Sequence, residues 1–218
     1  MSVAFYTKCW EGDYQKMLAG AFERKWQACK HDFDTVGLVV NNGSSVQDLM
    51  IEWALRGNAD VALMAEELAD DTMAYFGLER DDFGRGYVYS IAELTAIRHC
   101  QEDYLCYVQG DCLVTTGDWV SDAIAVLEDN PDVWAVSPAS DVNTWHGQDG
   151  LDQYFSDQAW LVRTKDWQGL EFPKDSSDVT GYPEYGGDLF ERKAAKVLRQ
   201  QGKFRKILTD HWYQHPTY

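Results

Sequence analysis

The sequence contains no unbroken apolar run of about 18 residues, so no transmembrane helix is expected. It contains no C-x-x-C pair. Its five cysteines, at positions 9, 29, 100, 106 and 112, are odd in number and form no disulfide framework. They read as free thiols in a reducing compartment. Basic residues are scarce, 19 Lys and Arg against 36 Asp and Glu, for a formal charge of −17. That balance argues against nucleic acid as a partner and against anionic membrane surfaces. An anionic substrate would have to be met locally, by a cation or by backbone N–H groups. There is no internal repeat, low-complexity tract or clear linker, so one domain over residues 1–218 is expected. The opening Met1-Ser-Val-Ala-Phe-Tyr-Thr-Lys8 goes straight into a strand pattern rather than a signal peptide. The expected location is cytoplasmic.

What the chain does have is regular alternation. Continuous β-branched and apolar runs at Val3–Thr7, Val36–Val40, Asp60–Met64, Tyr104–Val108 and Val133–Ser137 predict buried strands. Helical spacing predicts helices over 13–29, Val46–Arg56, Glu66–Phe76, Ser90–Gln101 and Trp119–Glu128. Ser90 with Glu93 three residues on reads as a capping box. Strand and helix therefore alternate as in a doubly wound α/β sheet. Beyond Pro138 the pattern loosens into two long polar loops, 139–158 and 168–187, around a strand at Ala159–Arg163. A helix at Leu189–Gln201, stopped by Gly202, and a strand at Phe204–Leu208 complete the pattern. Nine Trp and twelve Tyr are many for this length. Most are expected to pack in the core.

The chemistry concentrates at strand ends, where open α/β sheets bind ligands. The first strand ends at Thr7-Lys8. The second ends at Asn41-Asn42-Gly43-Ser44. The strand Tyr104–Val108 runs into Gln109-Gly110-Asp111, and a lone carboxylate there can hold a divalent cation. The late helix opens at Gly186-Gly187-Asp188, and His211 and His215 lie in the tail.

Taken in this order, over roughly residues 2–215, these landmarks resemble the nucleotide-sugar-dependent glycosyltransferases of GT-A fold, family 2 in particular. The resemblance implies an α/β, Rossmann-like, mostly parallel sheet with helices on both faces. It implies transfer of a sugar from a nucleotide-diphosphate donor to an acceptor hydroxyl, metal-dependent and inverting by direct displacement. Thr7, Lys8, Asn41 and Asn42 would bind the nucleotide. Asp111, with His215 or its close rival His211, would hold Mn²⁺ or Mg²⁺. Asp188 would be the catalytic base. Two departures stand out: Gln109 occupies the place of the first acid of Asp-x-Asp, and Gly187 that of the Glu of Glu-Asp.

A hard cation held by one carboxylate, phosphates and waters needs no all-protein cage, and it would neutralise the leaving diphosphate. Asp188 also fits a plain helix cap, and Asp157 and Glu184 are rival bases. Asp157 and Trp145 are expected on the acceptor side. His146, Tyr154 and Trp160 read equally as acceptor cleft or as packing. A nucleotidyltransferase would carry a Gly-rich basic loop where Thr7-Lys-Cys-Trp-Glu-Gly-Asp13 stands. A dehalogenase-type phosphatase would place Asp-x-Asp after its first strand, and a metallohydrolase would use more His. From another class, the half-kept acid pairs fit a non-catalytic nucleotide- or sugar-binding module.

Overall fold

The computed structural model describes residues 1–10, 12–41, 47–140, 150–182 and 187–214, with Gln47 and Leu55 described for the backbone alone. The strands are β1 (Val3–Trp10), β2 (Thr35–Asn41), β3 (Val61–Met64), β4 (Tyr104–Val108), β5 (Leu113–Val114), β6 (Val133–Ala139), β7 (Leu151–Asp152), β8 (Ala159–Arg163) and β9 (Phe204–Gln214). They join in the order β3-β2-β1-β4-β8-β6-β9-β5, with β7 alongside β9. Strands β3, β2, β1 and β4 are mutually parallel, and β6 is parallel to β9. Strand β8 runs antiparallel to both β4 and β6. The mostly parallel α/β sheet is therefore present, with β8 reversed at its centre and the short β5 and β7 antiparallel to β9.

The helices are α1 (Tyr14–Lys16), α2 (Phe22–Ala28), α3 (Gln47–Trp53), α4 (Ala65–Tyr75), α5 (Tyr87–His99), α6 (Trp119–Asp129), α7 (Thr164–Gln168) and α8 (Phe190–Gln200). The continuous helix expected over 13–29 is broken by Gly20, whose φ of +93° lies in the left-handed region. Two short strands, β5 and β7, and helix α7 escaped the sequence reading, being too short to show a period.

Strand alternation sorts side chains to the two faces. On β1, Ala4 and Tyr6 join the core formed with α4, α5 and α8. Val3 and Phe5 join the core formed with α6, and Cys9 the one with Met17 and Phe22. The same rule sends Val39 of β2 and Leu105 and Tyr107 of β4 to the α5 face. Lys8, Asn41 and Gln109 continue those rows. The α5 face therefore carries the polar groups at the strand ends.

Helix α5 is buried along almost its whole length, which is why its sequence shows so little amphipathic pattern. Ser90 and Glu93 do not form the expected capping box, because the helix begins earlier, at Tyr87. The Ser90 hydroxyl donates to Gly86 O at 2.9 Å and accepts from the Phe190 N–H at 2.9 Å, so it caps α8 instead. Glu93, fully buried, accepts from Lys8 Nζ at 2.8 Å and from the Tyr107 hydroxyl at 3.2 Å. Burial pushes the Glu93 carboxyl above the usual carboxylate range, and the Lys8 ammonium opposes that shift. One helix thus ties β1, β4 and α8 together.

The loop before α5 meets the entry to α8 at backbone distance. Asp188 N–H donates to Phe83 O at 3.0 Å, and Gly84 bridges Gly187. A Cβ on Gly86 would lie 1.8 Å from Asp188 O, and one on Gly187 would lie 2.1 Å from Phe83 O. Both glycines are required by this approach. Gly86→Ala is expected to destabilise the fold by about 1–3 kcal/mol, lowering the melting temperature by about 5 °C. An unchanged melting temperature would contradict the contact.

Lys8→Met leaves Glu93 buried without its cation, at an expected cost of about 3–5 kcal/mol near neutral pH. The folded carboxyl then holds its proton to higher pH than the unfolded one, so stability of the variant falls as pH rises from about 4.5. Denaturant titrations at pH 4.5 and 7.5 should give a larger penalty at the higher pH. Equal penalties would argue against the ion pair as the cause.

Candidate active site

The carboxyl ends of β1 and β4 and the start of β8 meet at one edge of the sheet. The ladder between β4 and β8 extends past Val108 through Gln109 N–H to Gln158 O at 2.7 Å. That bond sets Gln109-Gly110-Asp111 against Ser156-Asp157-Gln158. Gly110 approaches β1 so closely that a Cβ would lie 2.7 Å from Lys8 O. The turn carrying Asp111 is thereby pressed onto the end of the first strand.

Three carboxylates gather at this edge. Asp157 accepts a short hydrogen bond from the Gln109 side-chain amide. Its own N–H donates to Glu191 Oε1 at 3.0 Å, in the first turn of α8. Burial pushes the Asp157 carboxyl well above its ordinary range, the neighbouring Glu191 charge adds to the rise, and Lys8 opposes it. Asp111 lies within the electrostatic reach of Asp157, Lys8 and Lys25. Lys25, only 3% exposed, donates to Cys112 O and so holds the Asp111 turn from below. Burial lowers its ammonium to a pKa of about 8.

Among the other expected residues, Thr7 does not end its strand. Strand β1 continues to Trp10, and Thr7 is sealed inside, with its hydroxyl unpartnered among the described residues. Asn41 closes β2, and its amide donates to Val88 O at 2.6 Å. Asp188 precedes α8. Its Oδ1 accepts from the Ser176 hydroxyl at 2.5 Å and from the Leu189 N–H at 3.0 Å. Its Oδ2 accepts from the Ser176 N–H at 2.9 Å and pairs with Lys193 at 3.1 Å. His211 belongs to β9, which runs to Gln214 rather than ending at Leu208. Its ring faces α6, with Nε2 2.8 Å from Asp122 and Nδ1 3.4 Å from Thr116 O. Asn42, Trp145, His146, Glu184 and His215 lie outside the described residues. Trp160 is a core residue stacked on Tyr107 at 5.0 Å. Tyr154 lies beside Tyr182 at 6.0 Å.

Asp188 also lines a groove of about 930 Å³, together with Asp82, Lys174, Thr180, Tyr182 and Arg192. Two partly separate places therefore result. One is the strand-end cluster of Asp111, Asp157, Glu191 and Lys8. The other is the groove beyond the start of α8. The sequence reading found Asp111, Asp157 and Lys8 but not Glu191, Glu93 or Lys25. Glu93 has the spacing of a capping-box residue, and Lys25 and Glu191 look like ordinary exposed helix charges until the fold buries or pairs them.

Among the described residues no three His, Cys, Asp or Glu side chains are arranged to hold a metal ion by themselves. The oxygen chemistry of Asp111 and its neighbours fits a hard cation only if phosphate oxygens complete the shell. Among the described residues no helix is long and apolar enough to cross a membrane.

No protein-family profile matches the sequence, and no curated protein matches it. Solved structures do. A mannosyltransferase from Pyrobaculum calidifontis, in complex with GDP-Man and Mn²⁺, is 14% identical with a TM-score of 0.58; the match covers 99% of this chain and 57% of that one. Residues 1–349 of TarS from S. aureus match at 13% identity and a TM-score of 0.52, over 97% of this chain and 60% of that one. Mouse xyloside xylosyltransferase 1 matches at 8% identity and a TM-score of 0.56, over 95% and 85%. The chain thus spans a little over half the length of the first two. At these identities the likeness concerns the fold alone, and that fold is of the GT-A type.

Proposed function

We propose that the chain is a metal-dependent glycosyltransferase that moves a sugar from a nucleotide-diphosphate donor to an acceptor hydroxyl, inverting by direct displacement. The observation that carries this is the charge at the strand ends. Asp111, Asp157 and Glu191 converge there, Lys8 is paired with Glu93 and Lys25 is held by Cys112 O. A diphosphate approaching this acidic edge would need an accompanying cation to offset the repulsion. Asp111 would hold that cation, with His215 as a further ligand, and Lys8 and Asn41 would flank the nucleotide. His211 would have to leave Asp122 to join them. Bound Mn²⁺ or Mg²⁺ would supply charge neutralisation for the leaving diphosphate.

The acceptor would enter the groove on the Asp188 side. Ser176 and Lys193 fix the direction of the Asp188 carboxylate, which suits a base that must meet one hydroxyl in one geometry. The same side chains also have a structural role, tying segment 173–176 to α8. Asp157 is the rival base, favoured by its raised affinity for a proton. A decayed, non-catalytic module would keep the binding and lack the transfer.

Supporting the reading, the Pyrobaculum enzyme was solved with GDP-Man and Mn²⁺ and TarS with UDP. UDP, GDP or CDP with Mn²⁺ should raise the melting temperature of this chain, and EDTA should abolish the shift. At one hundred times Kd the stabilisation should be about 2.7 kcal/mol. Asp111→Asn should remove it. No shift with any nucleotide would overturn both the transferase and the binding-module readings.

Asp188→Asn should retain nucleotide binding and lose transfer by about a hundredfold or more, measured by release of the nucleoside diphosphate from its sugar nucleotide. If Asp157→Asn shows that loss and Asp188→Asn does not, the base is Asp157. Wild-type binding without turnover on any common sugar nucleotide would favour the module.

A further inference from the structure

The Asp188 carboxylate has no direction left in which to accept a proton. A carboxylate offers about four lone-pair sites, two on each oxygen. Oδ1 accepts from the Ser176 hydroxyl at 2.5 Å and from the Leu189 N–H at 3.0 Å. Oδ2 accepts from the Ser176 N–H at 2.9 Å and meets the Lys193 ammonium at 3.1 Å. The side chain nevertheless lines the groove and is 12% exposed. A base that faces its cleft with every site filled takes a proton only after one of these donors leaves.

The four donors are not equally removable. The Leu189 N–H is backbone at the entry to α8. The Ser176 N–H belongs to a segment whose carbonyls are held from α8. Lys193 Nζ donates to Pro173 O at 2.8 Å and to Lys174 O at 2.6 Å, and Lys196 Nζ donates to Asp175 O at 3.0 Å. Lys193, fully buried, is thus committed to two carbonyls besides Asp188. Only the Ser176 hydroxyl leaves by turning about one side-chain bond, with no movement of backbone. It is also the one donor of the four with the chemistry of a glycosyl acceptor, an aliphatic O–H directed at a carboxylate oxygen. Ser176 is fully buried, so solvent does not compete for its place.

We propose that the Ser176 hydroxyl stands in the place of the acceptor hydroxyl and keeps Asp188 idle until an acceptor in the groove displaces it. This rests on the transferase reading above, with Asp188 as the base. The exchange replaces one O–H with another, so the carboxylate keeps its number of hydrogen bonds. The incoming O–H proton then passes to Asp188 Oδ1, its oxygen bonds to the anomeric carbon of the sugar, and the bond from that carbon to the diphosphate breaks. Water is excluded from Oδ1 while Ser176 stays in place, which would hold down wasteful hydrolysis of the donor.

The test is the rate at which the full chain, with Mn²⁺ and no acceptor, releases nucleoside diphosphate from UDP-, GDP- and CDP-hexoses. Ser176→Ala opens the place to water and should raise kcat by about tenfold with the donor KM unchanged, as expected for removing one competing hydrogen bond to a charged group. Ser176→Cys, close in shape and a weak donor, should raise kcat by a smaller factor. A cooperative melting transition checks that each variant folds. Adding Asp188→Asn to Ser176→Ala should abolish the gain. A Ser176 that only supports the loop gives the opposite sign, with kcat at or below the wild type in both variants, and that result overturns the inference. If Asp188→Asn alone hydrolyses donor as the wild type does, the base assignment falls and the inference with it. If Asp188→Asn is inactive while Ser176→Ala gains nothing, the transferase reading stands and this inference alone falls.

Discussion

The ion pair between Lys8 and Glu93 holds the site together. Glu93 sits on a helix that is buried almost throughout, with no water to solvate its charge. Lys8 comes from the first strand, and the Tyr107 hydroxyl from the fourth adds a second donor. The helix cannot shift along the sheet without stripping that carboxylate of its partners. Its first turn in turn caps α8 through Ser90, and its preceding loop meets the backbone of Asp188. Strand ends, late helix and groove are therefore fixed relative to one another by one helix and its polar contacts. Buried ion pairs are poor sources of net stability but strict specifiers of geometry when the alternative is an unpaired charge.

The same electrostatics define what the site can accept. The chain carries −17 overall, and its strand-end edge concentrates acids rather than relieving them. Burial and the Glu191 charge leave Asp157 reluctant to ionise. On the proposed reading, a phosphate-bearing donor would enter here only as a complex with a cation, so metal and donor would bind as a unit. Gln109 in place of a second acid sharpens this: fewer protein ligands mean that more of the coordination must come from the diphosphate.

Much of the frame was legible in the sequence. Continuous apolar strands and strand–helix alternation gave the α/β sheet, because burial on both faces leaves a strong local signal. Asp111 and Asp157 are legible because a carboxylate beside a strand end stands out. Other parts were not legible for physical reasons. The reversal of β8 is a matter of long-range pairing that its five residues do not encode. Ser90 and Glu93 matched a capping box in spacing, but tertiary contacts gave their polar atoms to α8, β1 and β4. Lys25 and Glu191 have the composition of surface helix residues, and only the fold turns one under the Asp111 turn and the other toward Asp157. Asp188 was singled out by its place before a helix, and that place alone does not distinguish a base from a cap.

The central claim is that donor diphosphate and cation meet at Asp111, between Lys8 and Asp157. It is tested most directly by crystals grown with Mn²⁺ and whichever of UDP, GDP or CDP stabilises the protein, with anomalous scattering recorded for manganese. The account expects a manganese peak bonded to the Asp111 carboxylate and bridged to the diphosphate. A nucleotide ordered at another edge of the sheet, or manganese bound away from Asp111, would contradict it.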